Sequence, residues 1–391
     1  MIRIFCLRYG YISWEQRKLL DCIQKITDFR GRTPKKLGMD WSKEGYLALS
    51  ALNVKDGYID FNQDVHYGSQ ELYDKWMTGN ELHKGQVLFT TEAPMGNVAQ
   101  VPDNRRYILS QRTIAFDVKD ELITEDFLAT VLRTPSVFAD LTALSSGGTA
   151  KGVSQKSLSS VEIRLPKDLK EQERIADNFS NIDKLITLHQ RKCEKLQKIK
   201  KSMLEKMFPK NEAKKPEIRF KGFNDDWEQR KLSDVVDVYD GVHQTPEYKD
   251  EGIMFLSVEN ISTLKSEKYI SEEAFERDYK IYPKKGDILM TRIGDIGTPN
   301  VVETTEKVAF YVSLALLKPH GIDSYFLNNA IQSKSFQKGL RERSLLTAIP
   351  MKINKDEIGK VDVYIPKNID EQKKIGKAFK QLDNLITLHQ G

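Results

Sequence analysis

The chain has 391 residues, a formal net charge of +5, 39% hydrophobic and 30% charged residues, and a mean hydropathy of −0.51. This length exceeds one ordinary core and indicates two domains plus connecting elements, and no apolar run approaches the roughly 20 residues that a membrane span needs. The three cysteines, Cys6, Cys22 and Cys193, are widely spaced, which argues against a disulfide framework or a zinc site and favours a reducing compartment, the cytoplasm.

Two stretches of the chain are close copies of each other. Residues 166–190 and 366–390 share 13 of 25 positions at a fixed offset of 200, and WEQRKL occurs at Trp14–Leu19 and again at Trp227–Leu232. Only the ends of each unit match, whereas the interiors have diverged. The chain is therefore a tandem duplication, which predicts two variable domains on a common frame.

Between these markers, short segments typical of strands alternate with turn residues. In the first unit they are GYLALSALNV, GYIDF, GQVLFTTEAPMGNVAQV and YILSQRTIAFDV, followed by a helical pattern from Thr124 to Leu144, the turn SSGGTAKG and the strand VEIRLP. The second unit repeats this order with IMFLSVENI, GDILMTRIGDIGTPNVV and VAFYVSLALLKP, a helical pattern from Ser324 to Leu340 and the strand VDVYIP. Each unit is predicted to be a compact α+β domain.

Both copied stretches carry the period of a long helix. The seam positions recur every seven residues, at Ile175, Ile182, His189, Leu196 and Met203 and again at Ile375, Leu382 and His389. This spacing is typical of a coiled coil. We predict that the second helix packs against the first, that the histidines set the register rather than bind a metal, and that the second helix is truncated.

No catalytic or metal-binding motif is evident. The sequence has no P-loop, no HExxH and no GxGxxG after a strand, and its six histidines form no close ligand pairs. Catalysis by this chain alone is therefore not predicted. Residues 191–221 carry twelve Lys or Arg and four Glu, a basic run that can hold phosphates or another acidic partner, or can be a solvated helix face and linker.

Several local signals occur in the same order in both units. Pro-x-x-x-x-Glu-Gln introduces each long helix, and the other signals are FRGRTPKK at Phe29–Lys36, DGVHQTPEY at Asp240–Tyr248, GTAKGVSQKSL before the first helix and TRIGDIG at Thr291–Gly297. In this order the chain resembles the specificity subunits of type I restriction-modification systems, from Trp14 to Gln390. Met1–Ser13 departs from the segment that precedes the second WEQRKL.

The resemblance implies an α+β fold with two target-recognition domains, related by pseudo-two-fold symmetry and joined by long antiparallel coiled-coil-like helices. It implies a non-catalytic subunit that recognises a bipartite asymmetric site in double-stranded DNA and directs two methyltransferase subunits and the restriction (motor-nuclease) subunits to it. S-adenosylmethionine, ATP and Mg would be bound by those partners. The alternatives are a coiled-coil scaffold without DNA binding and a stand-alone DNA-modifying enzyme.

The predicted organisation has five parts. They are a first target-recognition domain at 1–165, a central long helix at 166–208, a linker at 209–226, a second target-recognition domain at 227–365 and a second, truncated long helix at 366–391. We further predict that the central helix acts as a ruler for the gap between half-sites. Its stretch Lys192–Lys206 lies beyond the part that is copied at the chain end, so we expect that it can lengthen without disturbing the pairing of the two copied stretches.

The candidate DNA contacts are polar side chains in the loops of each domain, because Arg suits guanine and Gln or Asn suits adenine in the major groove. They are Arg30, Arg32, Thr33, Glu92, Gln111, Arg112 and Lys151 in the first domain and His243, Gln244, Thr245, Tyr248, Arg292 and Lys352 in the second. Each of them can read a base, contact a phosphate or shape a turn. The candidate partner interface is the identical block of the two helices, at Leu185, Ile186, His189, Leu385, Ile386 and His389.

Overall fold

The structure is a computed structural model that describes residues 14–145, 152–210, 213–345 and 347–389. The chain divides into two compact units, Met1–Thr187 and Leu188–Gly391. Both units mix helices and strands, as the duplication predicts.

The first unit contains nine strands and the first five helices in the part of the chain that is described. The strands are β1 (Trp14–Lys18), β2 (Ile23–Asp28), β3 (Tyr46–Leu49), β4 (Tyr67–Gly68), β5 (Val87–Thr90), β6 (Val98–Gln100), β7 (Ile108–Leu109), β8 (Thr113–Val118) and β9 (Glu162–Pro166). The helices are α1 (Gln70–Met77), α2 (Glu125–Leu132), α3 (Pro135–Leu144), α4 (Gln155–Leu158) and the long α5 (Leu169–Lys206). The end of α5, from Leu188, belongs to the second unit.

The second unit repeats this order element by element. Its strands are β10 (Glu228–Lys231), β11 (Val236–Asp240), β12 (Ile253–Leu256), β13 (Tyr269–Ile270), β14 (Ile288–Ile293), β15 (Asp295–Val301), β16 (Val308–Phe310), β17 (Leu314–Pro319) and β18 (Asp362–Ile365). Its helices are α6 (Glu272–Asp278), α7 (Ser324–Ile331), α8 (Lys334–Arg343), α9 (Lys355–Gly359) and α10 (Ile369–Leu388).

The sheets of the two units have the same topology. The first unit has the strand orders β2-β8-β5-β6, β4-β3-β7 and β1-β9, and the second has β11-β17-β14-β15, β13-β12-β16 and β10-β18. The pairs are antiparallel except β3 with β7 and β12 with β16. The WEQRK strand that opens each unit thus pairs with the strand that leads into its long helix, which explains why both ends of the duplicated unit have stayed alike.

Local chemistry sets the helix boundaries. Thr124 Oγ1 and Asp323 Oδ1 accept the third amide of α2 and α7, as N-caps do. Each predicted helical stretch is in fact two helices, because Pro135 starts a new helix after α2 and Ser333 caps a new helix after α7.

Two further features of the fold differ from the sequence analysis. The segment GYIDF is not a strand, since Ile59 makes only an isolated bridge with Val54. Helices α1 and α6 were not predicted, because each is short and offers few turns over which a helical period can be seen. Both are capped by a serine, Ser69 and Ser271.

The segment between the long helix and β10 is not a free linker. Met207 and Phe208, just after α5, are buried in the core of the second unit. Further on, the Arg219 guanidinium makes two hydrogen bonds, of 2.6 and 2.8 Å, with the Glu371 carboxylate. The contact between Arg219 and Glu371 therefore anchors the described part of this segment to the start of α10.

No single described helix is long and apolar enough to cross a membrane, although the bent pair formed by α2 and α3 passes that test by length and composition. Cys22 and Cys193 are free thiols in the interior.

Candidate nucleic-acid interface

The described candidate residues of the first unit lie at one edge of its four-stranded sheet. Asp28, the last residue of β2, pairs with Ile114 of β8, and Thr90, the last residue of β5, pairs with Thr113. The loops that follow β2 and β5 therefore emerge beside the turn that leads into β8.

Arg32 and Thr33 build the loop after β2 through contacts inside the domain. The Arg32 guanidinium donates a 2.9 Å hydrogen bond to the carbonyl of Trp76 and lies 4.4 Å from the ring centroid of Phe29. Thr33 Oγ1 accepts the amide of Lys36 at 3.3 Å and so caps a short 3-10 turn. In this structure both side chains position the loop.

Two arginines remain exposed at this edge. The Arg30 guanidinium lies 3.3 Å from the Asp28 carboxylate with 43% of its side chain exposed, and Arg112 Nε lies 2.8 Å from the Glu92 carboxylate with 54% of its side chain exposed. Exposed ion pairs of this kind contribute little to stability. Either guanidinium can therefore exchange its carboxylate for a phosphate or a guanine edge at small cost.

The backbone holds Arg112 in an unusual conformation. Its φ is 69°, a value that residues other than glycine rarely adopt, and its carbonyl accepts the Thr91 amide at 2.8 Å. The neighbouring Gln111 is half-buried. Glu92 forms an antiparallel bridge with Gly152, and the adjacent candidate Lys151 lies outside the described residues.

The second unit brings its candidates to the equivalent edge. Asp240, the last residue of β11, pairs with Ala315 of β17, and Ile293, the last residue of β14, forms an antiparallel bridge with Lys352. Lys352 is exposed. The loop after β11, the turn after β14 and the segment before α9 thus meet at one edge.

The Arg292 side chain is buried at this edge of the sheet. Its side chain is only 7% exposed, and its guanidinium contacts the Asp240 carboxylate and donates to the carbonyl of Ile353 at 3.0 Å. Burial lowers the pKa of Arg292, and the adjacent carboxylate compensates the buried charge. Arg292 therefore ties together the segments that carry the other candidates.

The loop after β11 presents its side chains to solvent. His243, Gln244 and Thr245 are exposed and make no side-chain hydrogen bond to other described residues. Gly241 approaches β16 so closely that a Cβ atom there would lie 2.5 Å from the Phe310 carbonyl oxygen, so only glycine fits. These three exposed polar groups, like Lys352, have side chains that are free of partners among the described residues.

Tyr248 closes the same loop against the domain. Its ring makes an edge-on contact with Phe255, with centroids 5.6 Å apart, and the Lys268 ammonium lies 5.6 Å from its centroid. Since 43% of the residue stays exposed, part of the ring remains accessible to solvent.

The same backbone frame carries different side chains in the two units. The carbonyl of Thr91 accepts the Val153 amide at 2.9 Å, and the carbonyl of Arg292 accepts the Ile353 amide at 3.0 Å. Thr91 and Arg292 therefore occupy the same position of the two sheets. At this edge the two units share the same backbone geometry and differ in the side chains that they carry.

Within the second unit, the end of α5 and α10 pack antiparallel. His189 and His389 face each other with their Nδ1 atoms 2.9 Å apart, while Lys200 lies 2.6 Å from the Asp383 carboxylate. Cys193 packs against Leu382 and Ile386, with Leu196 and Met203 beside them. The prediction that Lys192–Lys206 can lengthen without disturbing the helix pairing is therefore wrong, because this stretch itself packs against α10.

His389 is partly buried and lies beside basic groups. Burial, the Lys192 ammonium and His189 lower its pKa, and its Nε2 atom is buried with no hydrogen-bond partner. Because both rings offer Nδ1 to the same contact, one imidazole donates and the other accepts, which requires at least one of them to be neutral.

The identical block has different surroundings in its two copies. Leu185 and Ile186 are 56% and 50% exposed, whereas Leu385 is 44% exposed and Ile386 only 8%. Leu188 and Leu388, which sequence analysis did not select, are 60% and 70% exposed. Leu185 with Leu188, and Leu385 with Leu388, form what we call the leucine surfaces, which are open in both copies and lie on a different helix face from Ile186 and Ile386.

The Glu-Gln pair that introduces each long helix is structural. Gln172 and Gln372 are buried, and their side-chain oxygens accept the amides of Thr124 and Asp323, both at 3.0 Å. Their amide groups donate to the Pro166 and Pro366 carbonyls. The motif locks each long helix onto the domain that precedes it.

A second repeated feature was missed. Asn53 and Asn260 each accept a serine amide with their side-chain oxygen, from Ser50 at 2.7 Å and from Ser257 at 2.9 Å. The shared pattern Ser-x-x-Asn in SALNV and SVENI was present in the sequence. A comparison of the two interiors in register would have found it.

Among the described residues, no group of three or more His, Cys, Asp or Glu side chains is placed to hold a metal ion.

The comparisons with known proteins agree with one another. A sequence model of the family described as "Type I restriction modification DNA specificity domain" matches residues 11–198 and 224–391. The chain is similar to the type I restriction enzyme MjaVIII specificity subunit of Methanocaldococcus jannaschii, with 25% identity over 96% of this chain and 87% of that protein. It is also similar to the MjaIX specificity subunit of the same organism, with 28% identity over 51% of this chain and 48% of that protein.

The fold is also found in a solved structure. The S subunit of a type I restriction-modification system from M. genitalium matches with a TM-score of 0.66 and 17% identity, covering 98% of this chain and 92% of that one.

Proposed function

The chain belongs to the type I restriction modification DNA specificity family, and from this premise we propose that it recognises a bipartite, asymmetric target in double-stranded DNA, one half-site through each unit. The observation that carries the proposal is the repeated sheet edge, which has the same register in both units and different side chains. A constant frame with variable loops suits two different half-sites separated by unread bases.

Base reading is assigned to the exposed side chains of each edge. In the first unit these are Arg30, Arg112 and the half-exposed Glu92, and in the second they are His243, Gln244, Thr245, Tyr248 and Lys352. Some of them contact phosphate only, since most hydrogen bonds to DNA go to the backbone. Arg32, Thr33 and Arg292 act by positioning these loops.

We propose that the leucine surfaces dock two methyltransferase subunits, because they are the apolar part of the identical block that is open in both copies. The restriction subunits join this assembly. S-adenosylmethionine, ATP and Mg²⁺ belong to those partners, and the chain itself transfers no methyl group and cuts no DNA.

The central helix sets the gap between half-sites in this proposal. An insertion of four residues after Leu188 lies next to the boundary between the two units, keeps Leu185 and Leu188 together, and precedes the contact between His189 and His389. It lengthens the helix by about 6 Å, and with base pairs stacked every ~3.4 Å the gap grows by one or two base pairs. A methylation map of the insertion variant tests this, and an active complex with its original gap would refute the ruler.

The function is tested by reconstituting the chain with its methyltransferase partner and measuring binding to DNA as a function of salt. The proposal expects sequence-dependent binding that weakens linearly in log Kd against log salt. A complex that forms but binds all DNA alike would instead favour a scaffold.

A further inference from the structure

Helices α3 and α8 hold the same place in the two units but carry opposite charge. Leu141 of α3 and Leu340 of α8 are both fully buried, and each helix follows directly on the helix before it. Residues 135–144 of α3 contain no Lys or Arg and one Asp, so their net charge is −1. Residues 334–343 of α8 contain four Lys or Arg and one Glu, so their net charge is +3. The second unit therefore has a basic helix at a position where the first unit has an uncharged, largely apolar one with a single acid.

The C-terminal end of α8 lies at the sheet edge that carries the candidate DNA contacts. Gln337 Nε2 donates a 2.7 Å hydrogen bond to the carbonyl of Gly297, which lies in β15 just after the turn that follows β14. Leu345, two residues beyond α8, forms an antiparallel bridge with Lys352, and its amide donates to the Lys352 carbonyl at 2.8 Å. Since Lys352 also bridges Ile293, these contacts fix the end of α8 beside the last residue of β14.

The two arginines in the last turn of α8 have no partner inside the described part of the chain. Arg341 is exposed and Arg343 is half-buried, and neither guanidinium makes a hydrogen bond or an ion pair with another described residue. Lys334, at the other end of the helix, by contrast lies 2.8 Å from the Glu205 carboxylate. A half-buried guanidinium has lost part of its hydration without gaining a counter-ion. An anion from outside the unit would compensate this loss.

We propose that Arg341 and Arg343 bind the phosphate backbone of the DNA beside the half-site of the second unit, and that α3 makes no such contact in the first unit. The inference rests on the proposed function and adds to it which unit supplies this part of the salt-dependent binding. Arginine suits the role because its planar fork of N–H donors matches a phosphate in a bidentate manner. The acidic surface of a partner subunit is the other class of anion, but the place of α8 beside the candidate DNA contacts favours phosphate.

The test measures log Kd against log salt for the chain with its methyltransferase partner, on a duplex that contains the target. Each lost phosphate contact lowers the slope by about 0.9, so replacing both Arg341 and Arg343 with Gln should lower it by about 1.8. Binding to target and to unrelated DNA should weaken by the same factor, because phosphate contacts carry no sequence information. Replacing both arginines with Lys keeps the charges and should keep most of the slope.

The matched control is Lys334→Gln, which removes a cation from the same helix that is already paired with Glu205 and should leave the slope unchanged. An unchanged slope in the glutamine variant, with a parent that binds its target normally and a melting temperature like that of the parent, would overturn the inference alone. A parent complex without sequence-dependent binding would overturn the proposed function as well.

Uncharged methylphosphonate linkages locate the contact on the DNA. Neutral linkages beside the half-site that Gln244→Ala relaxes should weaken binding of the parent several-fold and of the glutamine variant less than twofold. Neutral linkages beside the other half-site should weaken both proteins by the same factor. If the glutamine variant keeps the DNA slope but forms less complex with the partner subunit, as measured by mass, then Arg341 and Arg343 bind an acidic protein surface and the phosphate contact is refuted.

Discussion

The long helices carry nearly the same apolar positions, yet Phe379, Leu382 and Ile386 are buried whereas Phe179, Ile182 and Ile186 are exposed. Phe379 is completely buried in the second unit, where it lies against Phe208, while Phe179 at the same position of the repeat is half exposed. Gly376 in the second copy lets α10 approach α7 so closely that a Cβ would meet the backbone nitrogen of Phe326 at 2.8 Å, and the first copy has Ala176 there. Identical side chains therefore take their role from what packs over them.

The sharpest way to break this comparison is to truncate the matched phenylalanines. Phe379→Ala should lower the free energy of unfolding by about 3–5 kcal/mol, because it leaves a cavity in the core. Phe179→Ala should change it by no more than about 0.5 kcal/mol, as is usual for exposed positions. Urea unfolding of both variants measures the difference. Equal losses of unfolding free energy would show that Phe179 is as buried as Phe379.

The next comparison concerns the two acids of the Glu-Gln motifs. Glu371 is 1% exposed and paired with Arg219, so Arg219→Ala leaves a buried charge uncompensated and should cost about 3–5 kcal/mol. Glu171 instead accepts the Trp14 indole N–H at 3.2 Å near the surface, and Trp14→Phe, which removes this bond, should cost only about 1 kcal/mol. Thermal unfolding of the two variants decides it, and an Arg219→Ala protein as stable as the parent would contradict the account.

The sheet edges give the matching functional comparison. Gln244→Ala and Arg112→Ala should each relax one half of the recognised sequence, by roughly 1–3 kcal/mol for a lost bidentate base contact. Competition binding with DNA altered in either half measures this. Were each variant to weaken both halves equally, the two side chains would be phosphate contacts.

The smallest expected effect is a pH dependence of the α5–α10 pairing. Because the pKa of His389 lies below its usual value of about 6.5, the folded state favours the neutral ring, and its stabilising contribution is complete above that pH. The contribution is lost as the pH falls through the lowered pKa. The melting temperature should therefore drop between pH 7 and 5 more in the parent than in His389→Gln, and parallel curves would rule out this role.

Sequence reasoning could predict the repeat, the mixed fold and the long helices, because each depends on a period or an order that the chain states twice. It could not separate Arg292 from Arg112, since both follow apolar runs and only the sheet register shows that one meets Asp240 inside the fold. It also could not tell Ile386 from Ile186, since their neighbours in sequence are the same. In both cases, only the packing of the folded protein determines which side chain is buried.

The central claim is that one chain reads two different half-sites. A genome-wide map of methylated adenines, in cells with and without this chain, tests it most directly. The account predicts that the chain adds one asymmetric motif made of two half-sites with a fixed gap of unread bases, and that Gln244→Ala degrades only one of them. A contiguous motif, or a methylation pattern that does not change when the chain is removed, would contradict it.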